Sequence, residues 1–541
     1  MQSFVRYKDF GAVGDGVTND FFAIKKAHEY ANEMGLPVVA EAGKCYLIGN
    51  MEVEGIAETI SIKTDTDWRG SIFIFDDREI AWRPEPRGNH DVYIFTVESD
   101  YPAVKLPEEK LDLINKSGGL DKETARKIDT GLGYPALLYV ENVDERKFIR
   151  FGGNQNTGTT QREIIEVDAE GNISPDTPLM FSFDKVTAIT AFRLDVRPIT
   201  VKNAVIISRS SEVNLVDQYH SINRGIRITR PNTTLLDIDH VITGQKEKGE
   251  LVDGVPFIGH SYNGVLAVQY TSNVLIKNVA LMSRIHYLQG TYDLDATYAN
   301  RVTFKDCRQK DFFTDEFPEH YQFPNTYKCW GVMGSSYCKN LTYDGCALTR
   351  FDAHQGVWNA KVLNSEMAVI RLTGGGDFYM ENTKIYFRNF VSPLQLREDY
   401  GSTWRGTITL KDCKMVDICK NGCLQALSLV RTPNWNFGYQ IYFPNFVIDN
   451  LEFEGAREVE FFQSFENNPS SPYFFRSVND EAITTLGAIG EDGKPNVSPY
   501  VPPKFIKVIN NEKNGYKIKL KRAKLFENTE ITGDESLIVE A

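Results

Sequence analysis

The chain has 541 residues, of which 42% are hydrophobic and 25% are charged, and its formal net charge is −13. This composition is that of an ordinary folded globular protein, and it argues against a disordered or membrane-embedded chain. It also makes nucleic acid a poor partner, because neutralising phosphates requires clustered Lys and Arg.

The N-terminus lacks the apolar core of an export signal, and no apolar run long enough to cross a membrane follows it. The chain is therefore predicted to be cytoplasmic as written, or secreted with its signal peptide already removed. Eight cysteines show neither disulfide-framework spacing nor a zinc pair, which predicts buried free thiols. No pattern indicates a metal or another cofactor.

Residues 7–48 combine a glycine-rich turn, a helix and a strand. Gly11, Gly14 and Gly16 permit tight turns, and Thr18-Asn-Asp20 can cap a helix that ends near Met34. The run Asp9-Phe-Gly-Ala-Val-Gly-Asp-Gly16 resembles the N-terminal cap of the pectin-lyase-like right-handed parallel β-helix superfamily. This resemblance implies an architecture and does not indicate a chemistry.

Residues 85–197 interrupt the repeating pattern of the chain. Lys105 to about Thr130 is charged and predicted to be helical, whereas Ala136–Val140 and Glu163–Val167 alternate as strands do. We interpret this stretch as an inserted or flanking β-rich module that walls one side of a cleft.

From residue 198 onwards, short alternating apolar runs recur, and each closes on a turn-forming residue. These anchors are Asn203, His240, Asn278, Asp306, Gly345, Asn364, Asn382, Asp412 and Asn450. Period-two alternation predicts strands, and the lack of helical patterns between them predicts coils of a β-helix. Short gaps between anchors predict bare coils, and longer gaps predict loops on one face that form a binding surface.

The predicted fold is therefore all-β. It is a right-handed parallel β-helix with an N-terminal helical cap, an inserted β-rich module and a C-terminal capping region. The predicted boundaries are 1–84 for the cap and first coils, 85–197 for the module, 198–466 for the β-helix and 467–541 for the capping region.

Three carboxylates lie at a nearly constant offset within their coils. Asp293, Asp352 and Asp399 precede an anchor by 13, 12 and 13 residues, which predicts a row along one face. Two coils separate neighbouring members, or about 9 to 10 Å at the spacing of parallel strands. Such a row suits the acid and base of an inverting glycosidase, about 6.5–9.5 Å apart, and allows the closer pair of a retaining one.

The residues around these acids supply the predicted substrate contacts. They are His354, Arg350, Arg397, Gln355, Trp330, Trp404, Tyr292 and Tyr400. A guanidinium favours the charged form of a neighbouring carboxylate, while a second carboxylate or an apolar wall raises a pKa, and hydrolysis needs that difference. Aromatic rings would stack on sugars, and the Gly374-Gly-Gly376 turn would allow close approach. Turn formation and Arg–Asp bridges between coils are the structural alternative.

The sequence therefore predicts a glycoside hydrolase that acts on a neutral or weakly charged oligosaccharide or polysaccharide. Catalysis would rest on Asp352 and Asp399, with Asp293 as a third candidate. The polygalacturonase motif set is absent in usable order. A lyase of pectate-lyase type remains an alternative, as does a glycan-binding phage tailspike or adhesin, which would form a homo-oligomer, typically a trimer. A glycosyl transferase that forms an anhydride product is a weaker option.

Overall fold

The structure is a computed structural model that describes most of the chain. The described residues are 3–79, 92–148, 159–195, 197–210, 224–245, 251–252, 255–256, 264–282, 294–310, 333–387, 394–397, 403–417, 440–454, 458–460, 500–520 and 528–540. Strands dominate, and parallel pairing between successive coils confirms the predicted all-β parallel β-helix. Within the described residues, no helix is long and apolar enough to span a membrane.

The repeating unit is a coil with three corners in the left-handed backbone conformation. The second corner lies three residues after the first corner, and the third corner lies eight residues after the first. The corner sets are Tyr270/Asn273/Asn278, Tyr298/Arg301/Asp306, Tyr337/Asn340/Gly345 and Gly356/Asn359/Asn364. Asn, Asp and Gly predominate at the second and third corners because they adopt positive φ more readily than other residues, whereas Tyr occupies the first corner in three of the four sets.

Amide side chains at equivalent corners also bond from coil to coil. Asn359 Nδ2 donates to Asn340 Oδ1 at 3.0 Å, and Asn382 Nδ2 donates to Asn364 Oδ1 at 2.8 Å. Each bond joins the corner of one coil to the corner of the next. The corners are therefore fixed by backbone preference and by side-chain bonding together.

Eight of the nine predicted anchors occupy such a corner, and His240 does not. Asn203, Asn278 and the later anchors all have positive φ. His240 is instead fully buried inside a strand, with its Nε2 3.0 Å from Ser208 Oγ. The corner of that coil is Asp237, with φ of 56°, and its side chain accepts a 2.5 Å bond from Asn278.

The first compact unit comprises residues 1–102, 192–334 and 346–349. Its helix is Phe21–Met34, preceded by the 3₁₀ turn Tyr7–Phe10. Strands whose residues all fall in this unit are Asp15–Asn19, Val38–Val39, Cys45–Ile48, Glu52–Val53, Ile56–Ala57, Ile60–Ile62, Thr66–Asp76, Phe95–Val97, Ile199–Arg209, Ile226–Ile228, Thr233–Thr243, Leu251–Val252, Val255–Pro256, Leu266–Gln269, Ser272–Leu281, Leu294–Thr297, Asn300–Lys305 and Arg308–Gln309.

The N-terminal helix has the predicted extent, but Asp20 does not cap it through its side chain. Its carboxylate instead accepts N–H bonds from Val13 at 2.7 Å and Gly14 at 3.0 Å. Asp20 therefore holds the glycine turn against the start of the helix. Beneath it, Tyr7 Oη lies 2.8 Å from His28 Nε2 and accepts a 2.9 Å bond from Trp68 Nε1.

The second compact unit comprises residues 103–191, 335–345 and 350–541. Its helix is Glu108–Lys116, with 3₁₀ turns at Glu512–Asn514 and Glu535–Leu537. Strands whose residues all fall in this unit are Val104–Lys105, Ala136–Lys147, Thr159–Val167, Lys339–Asp344, Val357–Leu363, Glu366–Leu372, Gly374–Glu381, Lys384–Phe387, Leu394–Leu396, Trp404–Lys411, Lys414–Asp417, Ile441–Tyr442, Asn445–Asp449, Glu452–Glu454, Glu458–Glu460, Tyr500–Val501, Phe505–Ile509, Lys517–Leu520, Glu530–Gly533 and Ile538–Glu540. Ala188–Arg193, Met333–Ser336 and Ala347–Gln355 have residues in both units.

The stretch predicted as an inserted module contains a separate four-stranded sheet with its own apolar core. Ala136–Lys147 pairs antiparallel with Thr159–Val167. The predicted helix over 105–130 is wrong in extent: nine residues are helical, and two left-handed glycines, Gly118 and Gly119, follow its end. The boundaries 85 and 197 stay a prediction.

A buried ion pair lies between this sheet and a coil strand of the same unit. Lys339 Nζ is 3.7 Å from Glu163 Oε2, and both side chains are almost completely buried. Glu163 also accepts bonds from the Met180 and Phe181 amides, and Lys339 donates to the Pro178 carbonyl. Burial raises the pKa of Glu163 and lowers that of Lys339, because it disfavours both charged forms.

Coils continue into the region predicted as a C-terminal cap. Asn445–Asp449 pairs in parallel with Phe505–Ile509, which pairs in turn with Glu530–Gly533. Residues 461–499 lie outside the described residues. The strands after residue 500 extend the solenoid, so the capping region contains coils of its own.

Candidate functional site

Asp352 lies in the strand Ala347–Gln355 and is fully buried. Alternate residues of a strand share a face, so Arg350 and His354 lie on the same side as Asp352. Arg350 Nη2 is 2.6 Å from Asp352 Oδ2, and His354 Nε2 is 3.8 Å from the same oxygen. The sequence prediction that Arg350 and His354 surround Asp352 agrees with this geometry.

Arg397 reaches the same carboxylate from another coil. Its Nη1 donates to Asp352 Oδ1, and its backbone N–H donates to the Leu372 carbonyl at 2.9 Å. Arg397 immediately follows Leu394–Leu396, a strand that pairs with Glu366–Leu372. The sequence prediction paired Arg397 with Asp399, whereas the structure pairs it with Asp352.

We call Arg350, Asp352, His354 and Arg397 the Asp352 cluster. One carboxylate bridges two guanidinium groups, and Arg350 and Arg397 are only 8% and 6% exposed. Arg397 makes a charge-assisted hydrogen bond, a kind about twice as strong as a neutral one, whereas the Arg350 contact is an ion pair. His354 is the member with the most exposed side chain, at 18%. Asp352 itself has no exposed surface.

The other predicted catalytic acids fall outside the described residues. These are Asp293 and Asp399, and the predicted contacts Tyr292, Trp330 and Tyr400 lie outside them as well. Gln355 is half-buried, and its carbonyl accepts a bond from the Tyr337 amide. The predicted row of three carboxylates stays a prediction.

Trp404 is not placed to stack on a sugar. It is fully buried, and its Nε1 donates to the Gly376 carbonyl at 3.0 Å. The ring has no exposed face, so its predicted role as a stacking platform is wrong and its role is in the core.

The Gly374-Gly-Gly376 turn is needed for packing between coils, and its predicted role in substrate approach stays a prediction. A Cβ on Gly374 would lie 1.9 Å from the Val357 carbonyl oxygen, and one on Gly376 would lie 2.2 Å from Asn359 Oδ1. Both distances are far inside van der Waals contact. The glycines therefore let neighbouring coils approach each other.

Sequence reasoning missed Trp358, which is half-buried on the strand Val357–Leu363. Its ring lies about 3.0 Å from where a Cβ of Gly375 or Gly376 would stand. The sequence could have indicated this contact, because Trp358 and Gly375 stand at equivalent strand positions on successive coils. A Trp beside a Gly in this arrangement predicts that the indole ring covers the glycine. Among the residues described, no group of three or more His, Cys, Asp or Glu could hold a metal ion.

Comparison with protein-family models finds no match. A capsule KL64-specific depolymerase of Klebsiella phage P510 is 30% identical over 98 residues, covering 16% of this chain. The chain spans only 10% of the length of that relative. No family membership follows from a match this short.

Solved structures with a similar chain path include two phage tailspikes and one exopolygalacturonase. The tailspike gp49 of Pseudomonas phage LKA1 has a TM-score of 0.46 at 10% identity, over 99% of this chain and 84% of that one. The Gp54 tailspike of Acinetobacter baumannii bacteriophage AP22, in complex with A. baumannii capsular saccharide, has a TM-score of 0.42 at 9% identity, over 98% of this chain and 79% of that one. A Yersinia enterocolitica family 28 exopolygalacturonase has a TM-score of 0.34 at 11% identity, over 100% of this chain and 77% of that one.

Proposed function

We propose that this β-helix binds and cleaves a polysaccharide, and that the Asp352 cluster is its functional centre. The observation that carries the proposal is the convergence of Arg350 and His354 from one strand, and of Arg397 from another coil, on the Asp352 carboxylate. Several ionisable groups gathered beside a solenoid face are costly for stability alone, and such gatherings cluster at functional sites. The depolymerase and tailspike likenesses are in keeping with this substrate class.

The finer proposal is hydrolysis of a glycosidic bond in a neutral or weakly charged glycan by a carboxylate pair. Asp352 would be one member, and Asp399 or Asp293 the other. The Asp352 carboxylate would in addition hold Arg350 and Arg397, which are almost as buried as it is, in a fixed geometry. His354, the more exposed member, would then be the group nearest to the substrate.

A lyase is the second candidate, favoured by the two converging arginines. In such a reaction a base removes the C5 proton next to a uronate carboxylate, and a neighbouring guanidinium stabilises the charge that develops. The C4–O glycosidic bond then breaks, its oxygen leaves with the departing sugar as a hydroxyl, and a C4=C5 double bond remains. Arg350 and Arg397 would supply that stabilisation. The glycan would then be acidic, in contrast to the substrate of the hydrolase.

One experiment separates these reactions. Purified chain is incubated with neutral and uronate-containing polysaccharides, and new reducing ends and ultraviolet absorbance from unsaturated products are followed together. Reducing ends without absorbance identify hydrolysis, whereas both signals together identify elimination. Asp352→Asn should lose most turnover, and Asp377→Asn, an exposed acid on a neighbouring coil, should keep it. Equal turnover by Asp352→Asn and wild type would remove Asp352 from the mechanism.

A binding protein without turnover, such as a tailspike-like adhesin, is the remaining alternative. It predicts glycan binding with neither signal, and a trimer that resists detergent. Size-exclusion chromatography and electrophoresis of unheated protein test this directly.

A further inference from the structure

Trp358, Gly375 and Arg405 occupy the same position on three successive coils. Parallel register pairs Trp358 with Gly375, and Gly375 with Arg405. Coils stack about 4.8 Å apart, so the three residues form a column perpendicular to the strands. A Cβ on Gly375 would lie 3.0 Å from the Trp358 ring and 3.2 Å from the Arg405 Cβ. Gly375 is itself buried, and its missing side chain lets the Trp358 indole lie against the backbone beside Arg405.

Arg405 is held in place by two groups of the same unit. Its Nη2 lies 2.9 Å from Glu123 Oε1, and its guanidinium carbon lies 5.5 Å from the centre of the Tyr442 ring. The guanidinium keeps 35% of its side-chain surface exposed, and Glu123 keeps 64%. Tyr442 is half-buried, and Lys122 Nζ lies 5.9 Å from its ring centre. The column is thus bordered by an exposed pair of opposite charges.

We propose that this surface, formed by Trp358, Arg405, Tyr442 and Glu123, is a binding subsite for a neutral pyranose unit of a glycan chain. A pyranose presents one apolar C–H face and a rim of hydroxyl groups. The half-buried Trp358 indole, seated on buried Gly375, offers a flat apolar surface for that face, and aromatic rings in binding sites contribute mainly through such contact.

The Arg405–Glu123 pair determines which sugar fits. A hydroxyl both donates and accepts hydrogen bonds, so it can accept from a guanidinium N–H and donate to a carboxylate oxygen. A uronate would have to compete with Glu123 for Arg405 and would meet a like charge. The pair therefore favours hydroxyls over carboxylates, which selects a neutral sugar.

The subsite does not depend on the Asp352 cluster, because none of its residues belongs to that cluster. It would retain a polymer on the surface whether or not the cluster performs cleavage. It therefore goes beyond the proposed function and can fail independently of it.

The test uses full-length chain labelled with 5-fluorotryptophan and a panel of neutral hexasaccharides (gluco-, galacto-, manno- and xylo-configured) with matched uronate oligomers. The sequence holds six tryptophans, so the ¹⁹F spectrum is simple, and Trp358→Phe assigns the Trp358 signal. We expect a neutral oligosaccharide to shift that signal, with binding about tenfold weaker in Trp358→Ala and at least threefold weaker in Arg405→Gln. Trp404, fully buried, provides the internal reference.

Three results would overturn the subsite: no neutral oligosaccharide binds, a bound one leaves the Trp358 signal in place, or Trp358→Ala binds as wild type does. Circular dichroism of both variants identifies misfolding, and Trp358→Phe retains an aromatic ring if the alanine variant is unstable. Binding at Trp358 without turnover would contradict the proposed cleavage alone. Turnover with Trp358-independent binding would contradict the subsite alone.

Discussion

Replacing Asp352 with Asn removes the charge that two arginines share. Arg350 Nη2 and Arg397 Nη1 both contact this fully buried carboxylate, so the neutral amide leaves two cations facing each other. Two unit charges about 6 Å apart repel by roughly 3 kcal/mol at an effective dielectric constant of about 20. Breaking a buried ion pair on one side typically costs about 3–5 kcal/mol, which agrees with this figure.

The loss is best measured locally, because a long solenoid does not unfold in a single step. Hydrogen exchange followed by mass spectrometry reports the free energy of local opening for each peptide. A loss of about 3 kcal/mol corresponds to roughly 10²-fold faster exchange. We expect that acceleration in peptides from residues 347–372 of Asp352→Asn, and little change in the strand Ala136–Lys147.

Two further variants make this prediction specific. Asp377→Asn alters an exposed acid on a neighbouring coil and should leave exchange unchanged. Asp352→Asn combined with Arg397→Gln removes one of the two cations and should recover part of the protection. If exchange in Asp352→Asn stays within twofold of wild type, the carboxylate does not hold the two arginines together, and the cluster loses its structural basis.

Three other perturbations follow from the same structure. Burial lowers the pKa of His28 to about 3, so between pH 6.5 and about pH 3 His28 binds a proton in the unfolded chain but not in the folded chain. The free energy of unfolding should therefore fall by about 1.4 kcal/mol per pH unit over that range. Unfolding measured as a function of pH should show a smaller slope in His28→Gln. Gly374→Ala places a Cβ 1.9 Å from a carbonyl oxygen of the preceding coil, so we expect a clear drop in melting temperature. Gly43→Ala is the control for backbone strain alone, because Gly43 also has a positive φ but its Cβ would meet open space. Lys339→Met leaves Glu163 buried without its cation, which should cost about 3–5 kcal/mol; adding Glu163→Gln should restore much of it in thermal unfolding, and failure of that rescue would contradict the pairing.

The corners of the coils were predictable from the sequence because they depend on local backbone preference. Asn, Asp and Gly accept positive φ with little strain, so eight anchors could be identified without a structure. His240 was misassigned because a buried His with alternating neighbours imitates the local pattern. Asp237, three residues earlier, has the residue type that the conformation requires.

Side-chain contacts were predictable within one strand, where they follow from alternation, but not between coils. Arg350, Asp352 and His354 share one strand, and their spacing alone places them together. The contact of Arg397 with Asp352 depends on how coils of unequal length stack, which the sequence does not state. Trp404 could not be separated from an exposed aromatic residue for the same reason, because its burial depends on neighbouring coils.

The placement of the left-handed corners shows where this fold tolerates growth. The spacing from the first to the third corner is eight residues in each of the four complete sets. By contrast, the spacing from a third corner to the next first corner is 20, 31 and 11 residues. In these four coils the variation in length thus falls between the third corner and the next first corner, and the segment from the first to the third corner keeps a fixed length. The strand Ala347–Gln355 fills almost all of the shortest span, from Gly345 to Gly356, so we expect foreign segments to be tolerated only in the longer spans.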